Sequence, residues 1–200
     1  MPDVYLSPSV RHFNRGYGTY GTEEERMNLI ADIVELTLTR SGLITARNNP
    51  EYDLTAVVAD ANAKGADVYV ALRSIPCEYG TRGARVYYYR EGTNGQRLAE
   101  EIYNQLSAVT PVVDRGTEDG GNAFGGLGYY ELRRTRPPAV IVEIGCHSDP
   151  QDADFIVSHT YEIGVAIARG ILDYFGVPYV PADPEEEQRL RNEYNSVYFE

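Results

Sequence analysis

The sequence predicts a three-layer α/β sandwich, with a mostly parallel central sheet and helices on both faces. Three observations carry this expectation. Short apolar, β-branched runs alternate along the chain with segments whose apolar residues recur every three or four positions, the pattern of strands separated by amphipathic helices. Two of the runs, Val68 to Leu72 and Ala139 to Val142, are unbroken, as strands covered on both faces require. The 200 residues, 42% hydrophobic and 24% charged, suffice for one ordinary domain with a full core.

In chain order, Val4 to Leu6 forms a first strand, stopped by Ser7-Pro8. A polar loop with Gly16, Gly18 and Gly21 follows and contains His12. Thr22 starts a helix, and Glu25 three residues on completes capping-box spacing. Met27, Ile30, Val34 and Leu38 give that helix a buried face, and Gly42 closes it. Leu43 to Thr45 is a second strand; Asp53 caps a shorter helix that ends at Gly65. Val68 to Leu72 runs into Arg73-Ser74 and Pro76, and Val86 to Tyr89 is the next strand. A helix from about Gln96 to Leu106 precedes Pro111 to Gly128, read as a mobile surface loop from its Gly and Asp content. Tyr129 to Leu132 reads as a short strand or turn before the Ala139–Val142 strand, and Asp152 to Tyr174 holds one or two helices. This divides the chain into a domain over residues 1–179 and an acidic tail over 180–200, which is either a docked helix or an interaction peptide.

The formal net charge of −12 argues against a nucleic-acid or anionic-membrane partner and leaves room for a cationic one. No run is long and apolar enough for a membrane span, and Met1-Pro2-Asp3 leads straight into a strand without signal-peptide character. The sequence leaves the location open: the protein stays in the cytoplasm, or another export or lysis system releases it, or the sequence has been trimmed. Cys77 and Cys146 have neither metal-type spacing nor a disulfide framework and read most simply as reduced thiols, with pairing left open. The 17 tyrosines against no tryptophan suggest sugar- or protein-contacting rings, though core filling explains some of them equally well.

Function is expected at the strand ends, because open α/β sheets place ligands at the carboxyl ends of parallel strands. Glu143 ends its apolar run there, and a carboxylate in that position is costly without compensation. Arg133, Arg134 and Arg136, near in sequence, offer a purely structural pairing; a catalytic role fits as well. His12, Glu24 and Arg73 also fall near strand ends or helix starts, and the fold would gather them on one rim.

With these residues in order, the chain resembles the zinc-dependent N-acetylmuramoyl-L-alanine amidases, hydrolases of the lactyl–L-alanine amide in peptidoglycan. The resemblance runs from about Val4 to Tyr179. The helix-opening Glu-x-x-x-Asn is Glu24 and Asn28; the Ala-Asp strand is Ala66-Asp67 through Arg73-Ser74. The Gly-x-x-x-x-Tyr-Tyr strand is Gly83 to Tyr88-Tyr89, and the Pro-Ala-x-x-x-Glu strand is Pro138-Ala139 to Glu143.

The resemblance implies one zinc ion held by His, Glu and His with an open fourth position, and a separate Glu as proton acceptor. Glu24 matches the ligating Glu and Glu143 the catalytic one. His12 comes two residues later than the first ligand does in the family's turn, and Arg73 stands at the second His. A guanidinium stays protonated, offers no lone pair and opposes a nearby dication. The expectation is thus a pseudoamidase that binds peptidoglycan or muropeptide, has possibly lost zinc, and uses Arg73 to bridge Glu24 and Glu143. The alternative is an active amidase with a rearranged zinc site of His12, Glu24 and His147. The acidic tail would serve a protein partner.

Overall fold

The computed structural model describes residues 1–77, 82–110 and 115–199. Six strands form one sheet in the order β2-β1-β3-β6-β4-β5. They are β1 (Val4–Pro8), β2 (Thr45–Arg47), β3 (Val68–Ile75), β4 (Arg85–Tyr88), β5 (Thr117–Asp119) and β6 (Ala139–Cys146). All neighbours pair in parallel except β4 and β6, so the sheet is mostly parallel. The exception has a simple cause. Too few residues separate Ile75 from Arg85 for the helical crossover that a parallel return needs.

Side chains alternate across the sheet, and both faces are buried. Val4 and Leu6, Val68, Val70 and Leu72, with Val140 and Val142, face a core shared with α1 (Glu23–Arg40), α3 (Asn94–Ser107), α6 (Pro150–Ser158) and α7 (Thr160–Phe175). Tyr5, Tyr69, Ala71 and Ile141 face a smaller core closed by Val57 and Ala61 of α2 (Leu54–Lys64) and by Leu132 of α5 (Tyr130–Arg134). These faces explain the unbroken apolar runs. The helix α7 approaches its neighbours closely: a Cβ on Gly170 would lie 2.3 Å from Ile102 Cα in α3, so only glycine fits.

Several local expectations are corrected. β2 begins at Thr45 rather than Leu43. Part of the expected 111–128 loop lies outside the described residues, but Thr117–Asp119 pairs with β4, and a 3-10 turn and the single turn α4 (Ala123–Gly126), left-handed at Phe124 and Gly125, follow. Tyr129 to Leu132 contributes to helix α5 instead of a strand, because its Leu132 is needed over the sheet. The tail forms helix α8 (Pro184–Tyr194), with Leu190 packed on Ile33 and Tyr161. After it the chain returns to the site loop, where the Phe199 amide donates to the Thr19 carbonyl. Buried Arg26 joins the two, donating to the carbonyls of Thr19, Tyr20 and Val197 beneath the Phe199 ring.

The cysteines, read as reduced thiols, form a Cys77–Cys146 disulfide. Adjacency of β3 and β6 brings their ends together although 69 residues separate them. Buried Tyr5, Tyr20 and Tyr69 show that several tyrosines fill the core. Among the described residues no single helix is long and apolar enough to cross a membrane.

Candidate functional site

The carboxyl ends of β3 and β6 converge on a cavity of about 50 Å³, lined by Arg11, Arg73, Ser74, Tyr129, Glu131 and Glu143 among others. Arg73 and Glu143 are register partners in the parallel ladder, so the two side chains leave the sheet at the same level. Glu143 is almost fully buried, and among the described residues its Oε2 accepts no hydrogen bond, although Arg115 Nη2 lies 3.6 Å away. Burial pushes its carboxyl up to about 6, against the opposing pull of Arg115 and Arg85.

Arg73 does not make the expected bridge between Glu24 and Glu143. Its Nη2 donates to Glu131 Oε1 at 2.9 Å, and its Nη1 donates to the carbonyls of Ser7 and Leu72 at 2.5 and 2.9 Å. Glu131 is on α5, which sequence periodicity did not reveal as a helix, so the partner could not be foreseen. Burial alone would lower the guanidinium pKa; Glu131 foremost, then Tyr69 and Glu23, reverse this and hold it raised. This is a charge-assisted, nearly dry ion pair.

Glu24 also lies elsewhere than the motif implied. Its side chain is 27% exposed and lies 3.9 Å from His12 Nδ1, itself 79% exposed. Glu23 is the α1 carboxylate that turns inward. It is fully buried, its Oε2 accepts from Asn14 Nδ2 at 2.7 Å, and its Oε1 accepts no hydrogen bond among the described residues. Its charge reaches both Arg73 and Glu143. The signal was present in the sequence: Glu23 continues the Met27, Ile30, Val34 stripe one turn back, whereas Glu24 lies on the flank with Asn28.

His147 is not a free loop imidazole. It is buried, and its Nδ1 lies 2.8 Å from Ser74 Oγ, which accepts from Tyr20 O–H at 2.7 Å. With the tyrosine donating, the serine hydroxyl is left to donate to Nδ1. Burial, then the charge of Arg11, pushes the imidazole down to about 4, so it is neutral at physiological pH. The relay Tyr20–Ser74–His147 ties the site loop, β3 and the segment after β6 together.

These residues do not fit the zinc ion that the resemblance implies. The position that the resemblance assigns to the second His holds Arg73, paired with Glu131, while His12 is largely exposed and His147 is hydrogen-bonded with Ser74. Among the described residues, no three His, Cys, Asp or Glu side chains are grouped so as to hold a metal. What the arrangement offers is a small polar cleft lined by Glu143, whose Oε2 has no hydrogen bond among the described residues, and by half-exposed Arg11. A larger cavity of about 260 Å³ lies between α3, α7 and α8, away from these groups.

Comparison with known proteins gives consistent relatives. The family described as N-acetylmuramoyl-L-alanine amidase matches residues 12–173. The chain is 30% identical over 180 residues to the uncharacterized protein YqiI of Bacillus subtilis, covering 86% of this chain and 84% of that one. It is 28% identical over 128 residues to the probable cell wall amidase LytH of Staphylococcus saprophyticus, spanning 40% of that protein's length. Among solved structures, the amidase AmiC2 of Nostoc punctiforme superposes with a TM-score of 0.75 at 24% identity, covering 86% of this chain and 96% of that one. The catalytic domain of the amidase CwlV from Bacillus (Paenibacillus) polymyxa gives 0.77 at 21% identity, covering 89% and 100%.

Proposed function

The chain belongs to the N-acetylmuramoyl-L-alanine amidase family, and from that premise we propose that it is directed at peptidoglycan as a pseudoamidase, holding a muropeptide without cutting it. The observation that carries this reading is Arg73. Its guanidinium occupies the strand-end position where the resembling enzymes have a zinc-binding histidine, and its donors are engaged by Glu131 and two backbone carbonyls. A fixed cation here opposes a dication and supplies no lone pair.

Binding chemistry follows from the groups that remain. Glu143, which lines the cavity, carries in Oε2 a buried acceptor with no hydrogen bond among the described residues, a costly state that an N–H-bearing ligand would relieve. Amide groups of a stem peptide carry such donors. Arg11 at the mouth can pair with a peptide carboxylate, and Tyr129 offers a ring face beside Glu143. Glu143 thereby keeps a place in the site as a binding carboxylate. Zinc would supply carbonyl polarisation and an acidic water in the resembling enzymes.

The test uses the full chain with insoluble peptidoglycan, with and without added zinc. Sedimentation with the wall, weakened by Arg11→Glu, together with no release of new L-alanine amino termini is the expected result. Zinc-dependent amide cleavage would restore the enzyme reading with His12, Glu24 and His147, and failure to sediment would remove the binding reading.

A further inference from the structure

We propose that the Cys77–Cys146 disulfide is a redox-operated latch on the cleft, closed under oxidising conditions and released by a dithiol. This goes beyond the peptidoglycan reading and stands on the geometry of the rim. The chain's two cysteines, 69 residues apart, meet at the open end of the β3–β6 pair. The ladder is regular from Tyr69↔Ala139 to Arg73↔Glu143 and then shifts, with Ile75 opposite Cys146. A bulge of this kind locally disrupts ladder hydrogen bonds. The disulfide lies directly beyond it, joining the strand that bears Arg73 and Ser74 to the strand that bears Glu143.

Beside this cross-link the rim is tied by single hydrogen bonds. The His147 amide donates to the Ile75 carbonyl at 3.0 Å, and the Tyr17 amide donates to the His147 carbonyl at 2.7 Å. The Ser74–His147 bond is the third such tie, at 2.8 Å. Through Tyr17 the tie reaches the loop that carries Arg11. Losing the covalent link therefore loosens three walls of the cleft together.

The fold has an independent anchor a few residues away. Asp152 Oδ2 accepts from the amides of Cys146 and Gly83, at 3.0 and 2.9 Å, and Oδ1 pairs with Arg82. This holds the end of β6 to α6 when the cysteines are reduced, so the reduced chain stays folded with an opened rim. That combination makes a switch rather than a folding requirement.

Access sets the direction of attack. Cys146 is fully buried, whereas Cys77 is partly exposed. A dithiol's thiolate attacks Cys77 Sγ, the Cys77–Cys146 S–S bond breaks, and Cys146 leaves as a thiolate that takes a proton. The second thiol of the reductant then displaces Cys77, so two electrons and two protons move to the protein and the reductant becomes a disulfide. A small-molecule disulfide such as oxidised dithiothreitol reverses these steps by exchange, taking up the two electrons and two protons and becoming the dithiol.

The experiment equilibrates the full-length protein in mixtures of oxidised and reduced dithiothreitol. Alkylation and intact mass count thiols, and hydrogen exchange is followed across residues 16–18, 73–75 and 144–149. Reduction should speed exchange of the His147 and Tyr17 amides at least about ten-fold while α1 and α7 stay unchanged. Cys77→Ser, at the exposed end, should reproduce the reduced pattern without reductant. Two free thiols under oxidising conditions, or unchanged rim exchange on reduction or in Cys77→Ser, would overturn the latch. Global unfolding of both would overturn the switch as well. Wall sedimentation measured in parallel should fall on reduction if both proposals hold; absence of sedimentation by the oxidised protein counts against the binding reading alone, because exchange still judges the latch.

Discussion

Replacing Glu143 by Gln keeps the shape of the side chain and removes its charge, which isolates what the ionised carboxylate costs the fold. Burial raises this group from its ordinary 4.5 to about 6, a shift that already includes the attraction of Arg115 and Arg85. At 1.36 kcal/mol per unit the ionised form is disfavoured by about 2 kcal/mol in the folded state. The sign follows from linkage. Because the folded pKa lies above the unfolded one, folding takes up protons between about pH 4.5 and pH 6, so the cost is full above that window and disappears as the pH falls through it. Glu143→Gln should therefore be more stable than wild type by about 2 kcal/mol near pH 8, with the gap closing to nothing near pH 4. Urea unfolding of both proteins across that range measures the difference, and other titrating groups cancel in it. An equal or less stable variant at pH 8, or a gap that widens in acid, would refute the argument. Confirmation would identify Glu143 as a carboxylate kept at the expense of stability, which is expected of a binding site rather than of a structural ion pair.

Arg73→Met leaves Glu131 buried without its cation and should cost about 3–5 kcal/mol in urea unfolding, whereas Glu24→Gln should stay within about 0.5 kcal/mol; a neutral Arg73→Met would remove the ion pair from the account. His147, pushed down to about 4 from 6.5, refuses a proton that the unfolded chain accepts, so stability is full above about pH 6.5 and declines by up to about 3 kcal/mol as the pH falls toward 4. In His147→Gln that acid limb should flatten, and an unchanged slope between the two proteins would contradict the burial argument. Phe199→Ala removes the ring over Arg26 and the packing on Gly21, and should destabilise by about 1–3 kcal/mol in thermal unfolding. An unaltered melting temperature would show that the C-terminal segment does not brace the site loop.

Much of this protein is determined by its sequence alone. The alternation of strands and helices, the capping box at Thr22 and Glu25, and the two-sided burial of Val68–Leu72 and Ala139–Val142 are local or periodic properties, carried by neighbouring residues. The family and the strand-end location of the cleft follow from the order of motifs on that framework. Glu23 lies on the helical stripe of α1 and is legible there as an inward-facing carboxylate, whereas the Glu-x-x-x-Asn motif points to Glu24.

Only the tertiary structure decided which charges meet. Arg73 pairs with Glu131 because α5 folds over β3, and sequence distance carries no trace of that packing. His147 is buried because the Tyr20 loop and Ser74 close on it from two distant segments. The cysteines pair because β6 inserts beside β3 after a long excursion through β4, α3 and β5. Secondary structure is set by short-range periodicity. A rim built from four separate segments is set by how the sheet orders its strands, and its electrostatics depend on distances of a few ångströms that no spacing along the chain can encode.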